Sequence, residues 1–507
     1  MKVVKSLLLG TAAGLIAVGG AQAADLPVKA KAVEYVKICS LYGAGFYYIP
    51  GSDTCIKLGG YLRAEVALNA GGNYSAQYNG VFAANNRLTN YYSMRAREDL
   101  NIDTRTATEY GVVRTYFDAV FTWTTGSYVG TGSATGATGY SATTAGSSTI
   151  NPTDGGISGG SLGVYYAFIQ FAGFTMGKSV SQFDAPWINY PGNNFDQLVG
   201  GSGSTNGVAQ FTYTADFGQG VTATISAQDQ TQFFTTNIWN TAGMSTTGVL
   251  GGAYGSNDIG GTRSPDIVGV VRVDQAWGLF QASVAAHDNH VGYYGATEVT
   301  GHPEDKWGWA VQLALSIKNI PTGAGDVINV SGVYTEGASR YNFQSLAATS
   351  YSMFGSSNAA YQSIGFAGVS DAVFGPGGNL ELTKTYGFRG AYTHNWSPYW
   401  NTALYGAWAA VNYSGTAKGL ICGSAAFATL TGTCNPDFNI GQVGVITRWT
   451  PVKNLTFSAD FTYSHLDQKY SGAITTGALT SVAKPAATYE LKDQDTYSLL
   501  LRAQRNW

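Results

Sequence analysis

Segments of roughly ten residues in which apolar and polar side chains alternate recur from Lys57 to Trp507, and no other feature of this chain restricts its fold so tightly. In residues 57–69, Leu58, Leu62, Ala64, Val66 and Leu68 share one face, while Lys57, Tyr61, Arg63, Glu65 and Asn69 share the other. In residues 307–318, Trp307, Trp309, Val311, Leu313, Leu315 and Ile317 oppose Gln312, Ser316 and Lys318. In residues 454–464, Leu455, Phe457, Ala459, Phe461 and Tyr463 oppose Asn454, Thr456, Ser458, Asp460, Thr462 and Ser464. A period of two is a strand signal, since a helix requires about 3.6. About ten residues is also the length with which a tilted strand crosses hydrocarbon. The repeated pattern predicts a wall with water on one side and lipid on the other.

The first residues support that reading. Met1-Lys2-Val3-Val4-Lys5, an apolar run from Leu7 to Val18 and Ala21-Gln22-Ala23 have the three parts of a secretory signal peptide, predicted as residues 1–23. The apolar run is too short to span a bilayer, and no later stretch has the uninterrupted apolar length of a transmembrane helix. Removing Lys2 and Lys5 from the 28 basic residues leaves 26 against 31 acidic ones, a formal charge of −5. That balance argues against nucleic acid as a partner. Only 12% of residues are charged, about half the usual share in a soluble domain. Yet the mean hydropathy is −0.04, as expected where half the strand residues are apolar and the rest polar but rarely charged.

Connections between the strands alternate in length. Short ones fall near 104–109, 172–173, 216–220, 274–278, 319–325, 395–399 and 450–454. Long ones lie at roughly 70–90, 124–160, 181–206, 230–266, 289–305, 338–382, 414–437 and 467–492. Fifteen connections predict an all-β, 16-stranded antiparallel transmembrane β-barrel over residues 57–507, with short periplasmic turns, long extracellular loops and a preceding periplasmic-side segment at 24–56. Trp277, Trp396, Trp400, Trp449 and Trp507 cluster at the short-turn ends, where an aromatic girdle would meet headgroups. Outer-membrane lipid and lipopolysaccharide are the surroundings this implies. Glu98 and Arg505 fall on the apolar face. Arg505 can snorkel at the membrane edge; Glu98 implies a broken register or a wall that faces another subunit.

Of the four cysteines, three pairings are open in an exported chain. The close pairs Cys39–Cys55 and Cys422–Cys434 are the expected disulfides. A metal site is the weaker reading, without CxxC spacing or clustered histidine. The Gly-x-Gly spacings of the long loops, nearly low-complexity at 130–160, read as solvated surface loop rather than phosphate cradle. His287 and His290 read as a solvated pair at a strand mouth, and His302, His394 and His465 as isolated. No nucleophile elbow stands in its strand-to-helix context, so neither catalysis nor a cofactor is expected.

The polar faces carry a basic constellation. Arg63, Arg95, Arg97 and Arg114 occupy lumen positions on the first three strands, which lie about 4.8 Å apart. Asp99 and Asp118 share those faces and are placed to pair with them. Across the lumen, an infolded segment at 181–206 would present Asp184 and Asp196. A basic wall opposite acidic residues sets up a transverse field that favours polar solutes.

With those residues in view, the chain resembles the alphaproteobacterial porin family. The resemblance rests on Cys39-Ser40-Leu41-Tyr42-Gly43 through Gly51-Ser52-Asp53-Thr54-Cys55, then Ile56-Lys57-Leu58-Gly59-Gly60-Tyr61-Leu62-Arg63. It continues in Tyr166-Ala167-Phe168-Ile169-Gln170-Phe171-Ala172-Gly173-Phe174, in Arg448-Trp449-Thr450-Pro451-Val452-Lys453-Asn454-Leu455 and in Gln504-Arg505-Asn506-Trp507. It implies a homotrimeric 16-stranded barrel of the bacterial outer membrane, with the third long loop (181–206) folded inward as a constriction opposite the arginines. It also implies passive diffusion of small hydrophilic solutes and ions. Family chains usually end in Phe; Trp507 departs from that and keeps an aromatic ring. A barrel that anchors large loops as a surface adhesin or receptor is the alternative.

Overall fold

The period-two segments fold as strands of one closed sheet. The structure is a computed structural model that describes residues 37–69, 92–124, 161–187, 191–195, 197–231, 234–479 and 484–507; the predicted signal peptide, the segment 130–160 and Asp196 lie outside them. The barrel strands are β1 (Cys55–Leu68), β2 (Tyr92–Thr108), β3 (Gly111–Thr124), β4 (Ser161–Phe171), β5 (Phe174–Ser179), β6 (Val208–Asp216), β7 (Val221–Gln228) and β8 (Asp266–Gln275). They continue as β9 (Gly278–Asn289), β10 (Lys306–Lys318), β11 (Val327–Glu336), β12 (Lys384–Ser397), β13 (Trp400–Asn412), β14 (Phe438–Val452), β15 (Leu455–Gln468) and β16 (Gln494–Asn506). Each pairs antiparallel with its sequence neighbours. β16 returns to β1 in a register running from Leu68↔Leu499 to Tyr61↔Asn506. Closure leaves no sheet edge exposed to lipid.

Turn chemistry follows the predicted connections. Between β4 and β5, Ala172 and Gly173 both have positive φ, 49° and 86°, as a two-residue hairpin that matches strand twist requires. Leu62, Met94, Phe121, Leu313, Phe388, Leu404 and Val443 are exposed on the outer wall. The five tryptophans of the short-turn end are exposed there too, and Trp123, Trp307 and Trp309 form a counterpart toward the long-loop ends. The register runs unbroken through Glu98, opposite Leu62. Glu98 does face outward, where the Trp507 indole donates to its Oε1 at 3.2 Å. Arg505 Nη1 donates to the Lys453 carbonyl.

Before β1, Tyr47–Tyr48 pairs with Cys55 and Ile56, and the Cys39–Cys55 disulfide ties this segment to the barrel's short-turn end. At the other end, the described residues of the connections 230–266, 338–382, 414–437 and 467–492 do not behave as solvated loops. Ser350–Gly355, Gln362–Gly368, Ala487–Leu491 and Ala473–Thr476 form a four-stranded sheet. Two helices, α1 (Thr246–Leu250) and α2 (Gly415–Cys422), are capped by Ser245 and Ser414. These elements share an apolar core with Trp239 stacked on Tyr254 at 4.3 Å and Phe366 on Tyr470 at 4.3 Å. Cys422–Cys434 closes the end of α2. That core also takes in Ala407, Ala409, Val411, Ile440 and Leu466, so the upper inner face of β13 to β15 is apolar and covered.

His287 corrects the reading of a solvated pair. It is buried, its Nδ1 lies 2.8 Å from Asp266 Oδ1, and Tyr341 donates to Asp266 Oδ2 at 2.6 Å. Nearby, Asp371 accepts from Thr236 Oγ1 and Ser339 Oγ, both at 2.8 Å. These carboxylates bind two long connections to the rim. His394 is not isolated either: its Nδ1 lies 2.7 Å from Asp326 Oδ2.

Gly60 lies where β2 and the C-terminal Trp507 both crowd β1. A Cβ there would lie 1.9 Å from the Asp99 carbonyl oxygen and 3.0 Å from the Trp507 ring, while Trp507 N donates to Gly60 O at 3.1 Å. Gly60→Val should therefore cost roughly 3 kcal/mol or more by overpacking. Refolded samples on unheated denaturing gels should show most of the compact, heat-modifiable species lost; a wild-type fraction would show that β1 and β2 can part there without cost.

Candidate functional site

The pairing register sorts the lumen side chains of β14, β15, β16, β1, β2, β3 and β4 into rows. One row is Arg448, Ser458, Arg502, Glu65 and Arg95; the next is Thr456, Gln504, Arg63, Arg97 and Thr122. Then come Tyr61 with Asp99, and Asn101 with Asp118 and Tyr166. Toward the short turns follow Asp103 with Tyr116 and Phe168, then Arg105 with Arg114 and Gln170. Rows lie about 7 Å apart, two residues of extended chain.

The ion pairs differ from those expected. Glu65 stands between Arg95 and Arg502 and pairs with both, at 2.5 Å to Arg95, with Arg63 at 4.0 Å. Arg95 is thereby 4% exposed and stays behind the cavity wall. Arg114 sits near the short-turn end, where it and Arg105 bind Asp103 at 3.0 and 2.9 Å. Asp99 accepts from Asn101 at 3.2 Å and stands beside Asp118. Arg63, Arg97, Asp99 and Asp118 do line one cavity of about 430 Å³, together with Arg448 and Arg502. The sequence reading missed Arg448, Arg502 and the role of Glu65. Their signal was present, since Arg502 alternates with Leu501 and Ala503 on the strand that must close against β1.

A bulge shapes the same cavity. Asp118 pairs with Tyr166, but Ala119 pairs with Val164, so Tyr165 is an extra residue in β4. Tyr165 and Tyr166 both line the cavity, where a regular strand would place one of them. Arg63 lies over the Tyr61 ring at 4.3 Å and Arg97 over Tyr165 at 5.6 Å.

The described residues of 180–207, the third long connection, fold into the lumen and close the cavity with Asn193, Asn194 and Asn206. Their backbone is bound by side chains of the wall. Gln312 Nε2 donates to Phe183 O at 3.0 Å, and Gln442 Oε1 accepts from Val199 N at 3.0 Å. Asp460 Oδ2 accepts from Asn194 N at 2.6 Å, Arg448 donates to Gly192 O at 3.2 Å, and Arg389 donates to Ser202 O. Phe195 seats on Ala67 and Leu500. Gly200, at φ +83°, passes so close to β12 that a Cβ would lie 2.2 Å from Phe388 O.

Asp184 is not presented to the lumen. It is buried at the base of the segment, accepting from Ser202 Oγ at 2.6 Å, Ser204 N at 2.6 Å and Ser204 Oγ at 2.7 Å. Burial pushes its carboxyl above the ordinary carboxylate range, against the pull of those three hydrogen bonds. It holds the two ends of the segment together. Among the described residues no group of His, Cys, Asp and Glu is arranged to hold a metal ion.

A closed barrel with a lipid-facing outer wall, its lumen narrowed by an inward segment beside a charged wall, defines a channel of the bacterial outer membrane. The family model described as Porin subfamily matches residues 25–500, and the chain belongs to that family. It is 33% identical over 304 residues to porin Omp2a of Brucella melitensis biotype 1, covering 59% of this chain and 70% of that one. To porin Omp2b of Brucella suis it is 31% identical over 308 residues, covering 59% and 69%. Among solved structures, the outer membrane channel DcaP of Acinetobacter baumannii aligns with a TM-score of 0.54 at 16% identity, covering 91% of this chain and 99% of that one, a likeness of fold.

Glu65 gives the sharpest stability test. Glu65→Ala leaves Arg95, Arg502 and Arg63 clustered without their carboxylate, which should cost about 3–5 kcal/mol. The temperature at which the compact gel species is lost should fall well below wild type. An unchanged midpoint would mean that the arginines are solvated.

Proposed function

We propose that the protein carries small hydrophilic solutes and ions by passive diffusion, and catalyses no reaction. The cavity between the arginine wall and the inward segment carries this reading. Arg63, Arg97, Asp99 and Asp118 would form the constriction with Arg448 and Arg502. Arg95 and Arg114 would add to the field from their ion pairs, and Asp184 would fix the segment that narrows the passage. With four guanidiniums against two carboxylates at the cavity, anions should pass more readily than cations. Residues 1–23 would direct export, and residues 24–56 would lie on the periplasmic side.

We also propose a homotrimer embedded among lipid and lipopolysaccharide. One outer row runs Trp400, Trp449, Phe457, Ala503, Ala64, Ala96 and Trp123, an alanine floor between aromatic walls. Small side chains let a second copy of the barrel approach closely, and Glu98 on the same wall would meet protein instead of lipid. Ala64→Trp with Ala96→Trp should convert the trimer to monomer on native gels; an undisturbed trimer would move the interface elsewhere.

Planar-bilayer recording tests the channel. Purified protein should give discrete conductance steps, and a silent bilayer would count against the proposal. In a salt gradient the reversal potential should indicate anion preference, and Arg63→Gln with Arg97→Gln should move it toward cations. An unmoved potential would remove these arginines from selectivity.

A further inference from the structure

On the lipid-facing wall, the long-loop halves of β12 to β15 carry a groove that the protein's own side chains leave unfilled. One outer row there runs Val330, Gly390, Gly406, Val443 and Tyr463. The next, toward the long loops, runs Phe388, Trp408, Gly441, His465 and Asp495. Their glycines join into a floor, Gly390, Gly406 and Gly441. Phe388, stacked on Trp408 at 5.8 Å, forms one side, and Val443 with Tyr463 forms the other. The hollow measures about 670 Å³. It climbs from mid-strand toward the long-loop end, where it meets His465.

Neither backbone nor packing requires glycine along most of this floor. Gly406 and Gly441 lie in regular strand without positive φ. A Cβ on Gly406 would meet Gln442 O at 3.4 Å, and one on Gly441 only Trp408 Cδ1 at 3.9 Å, both ordinary contact distances. Glycine inside a strand weakens it and marks places where a ligand or another backbone approaches closely. The upper end of the groove is polar. His465 Nδ1 lies 2.7 Å from Asp495 Oδ1, and the Tyr463 hydroxyl donates to the same oxygen at 2.5 Å. His465 Nε2 has no hydrogen-bond partner among the described residues.

We propose that this groove seats one acyl chain of lipopolysaccharide, with the polar groups at the head of that chain bonded to His465. This deepens the reading above in which lipopolysaccharide surrounds the barrel, and rests on it. The outer wall meets hydrocarbon and a second copy, and the alanine floor assigned to that copy crosses β14 and β15 at their short-turn end, at Trp449 and Phe457. A void in hydrocarbon forfeits contacts for every atom that lines it, and a flexible chain is what can enter a narrow hollow. Water release adds nothing within lipid, so close packing against a backbone bare of side chains supplies the affinity. Direction selects the lipid. The polar end lies on the long-loop side, which faces out of the cell, and lipopolysaccharide forms that leaflet. Its chains begin at an amide or ester and carry hydroxyl groups nearby, matching the hydrogen-bonding groups of His465, Asp495 and Tyr463.

The test adds purified lipopolysaccharide to the full protein, refolded and free of lipid, and counts adducts by native mass spectrometry. Wild type should bind one lipopolysaccharide per monomer more tightly than any further one. Gly406→Leu with Gly441→Leu should weaken that site about tenfold, and His465→Ala about fivefold, with the compact gel species retained. Val284→Ala, exposed on β9 away from the groove, should leave it unchanged. Equal binding by wild type and the filled variant would overturn the groove and leave the lipid surroundings standing; a wild type that binds none would overturn both. Phosphatidylethanolamine held as tightly as lipopolysaccharide would overturn the choice of lipid. A filled variant that becomes monomeric would make the groove a subunit contact and overturn the site. Should the filled variant fail to fold, the wild-type stoichiometry and His465→Ala still decide the question.

Discussion

Backbone hydrogen bonding in a medium without water is the constraint on which this structure rests. Hydrocarbon offers no partner to an N–H or C=O group, so a sheet that meets lipid must close on itself. Here the last strand returns to the first, and Trp507 beyond it donates its backbone N–H to Gly60 O. The same rule acts a second time inside the barrel. The inward segment has little regular structure of its own, yet much of its backbone is buried. Gln312, Gln442, Asp460 and Arg389 supply the partners that a strand would have found in its neighbour. Part of the lumen is therefore polar in order to bind a loop, and only the remainder faces the path of solutes.

Charge on the remaining wall follows the register. Because the pleat repeats every two residues, each lumen row gathers side chains from strands far apart in sequence. Glu65 is the clearest instance, placed between Arg95 thirty positions later and Arg502 near the C-terminus. Its carboxylate lets a guanidinium cluster exist at low exposure without self-repulsion. One row further, Arg63 and Arg97 stand opposite each other, with Asp99 two residues along β2 in the same cavity.

Much of this was legible in the sequence. Alternation gave strand positions to within a few residues, the turn spacing gave their number, and the exposed tryptophans marked the short-turn end. Local period-two patterning survives because lipid and lumen act on each strand separately. What escaped depends on non-local geometry. Arg502 joins Glu65 only through closure, and Tyr165 reaches the cavity only through a bulge that leaves no mark in composition. His287 looked solvated because the loop that buries it, with Tyr341, follows some fifty residues later. The long connections looked like surface loops, since Gly, Ser and Thr dominate them. Their apolar residues are too scattered to show periodicity, and they meet only when four connections converge.

That convergence bears on how the channel works. The cap and the inner face of β13 to β15 share one apolar core, and the inward segment joins it through Leu198 and Val199. A segment packed into a core and hydrogen-bonded to the wall at Phe183, Gly192, Asn194, Val199 and Ser202 resists displacement, because opening would expose apolar surface and unpaired backbone at once. The width beside the arginines is then set by packing. Discrimination among solutes small enough to enter falls to the fixed groups on the opposite wall, whose positions the register of β16, β1, β2 and β4 determines. Rigid walls and fixed charges favour selection by weak, reversible binding along the path, with the protein's shape unchanged between an empty and an occupied channel.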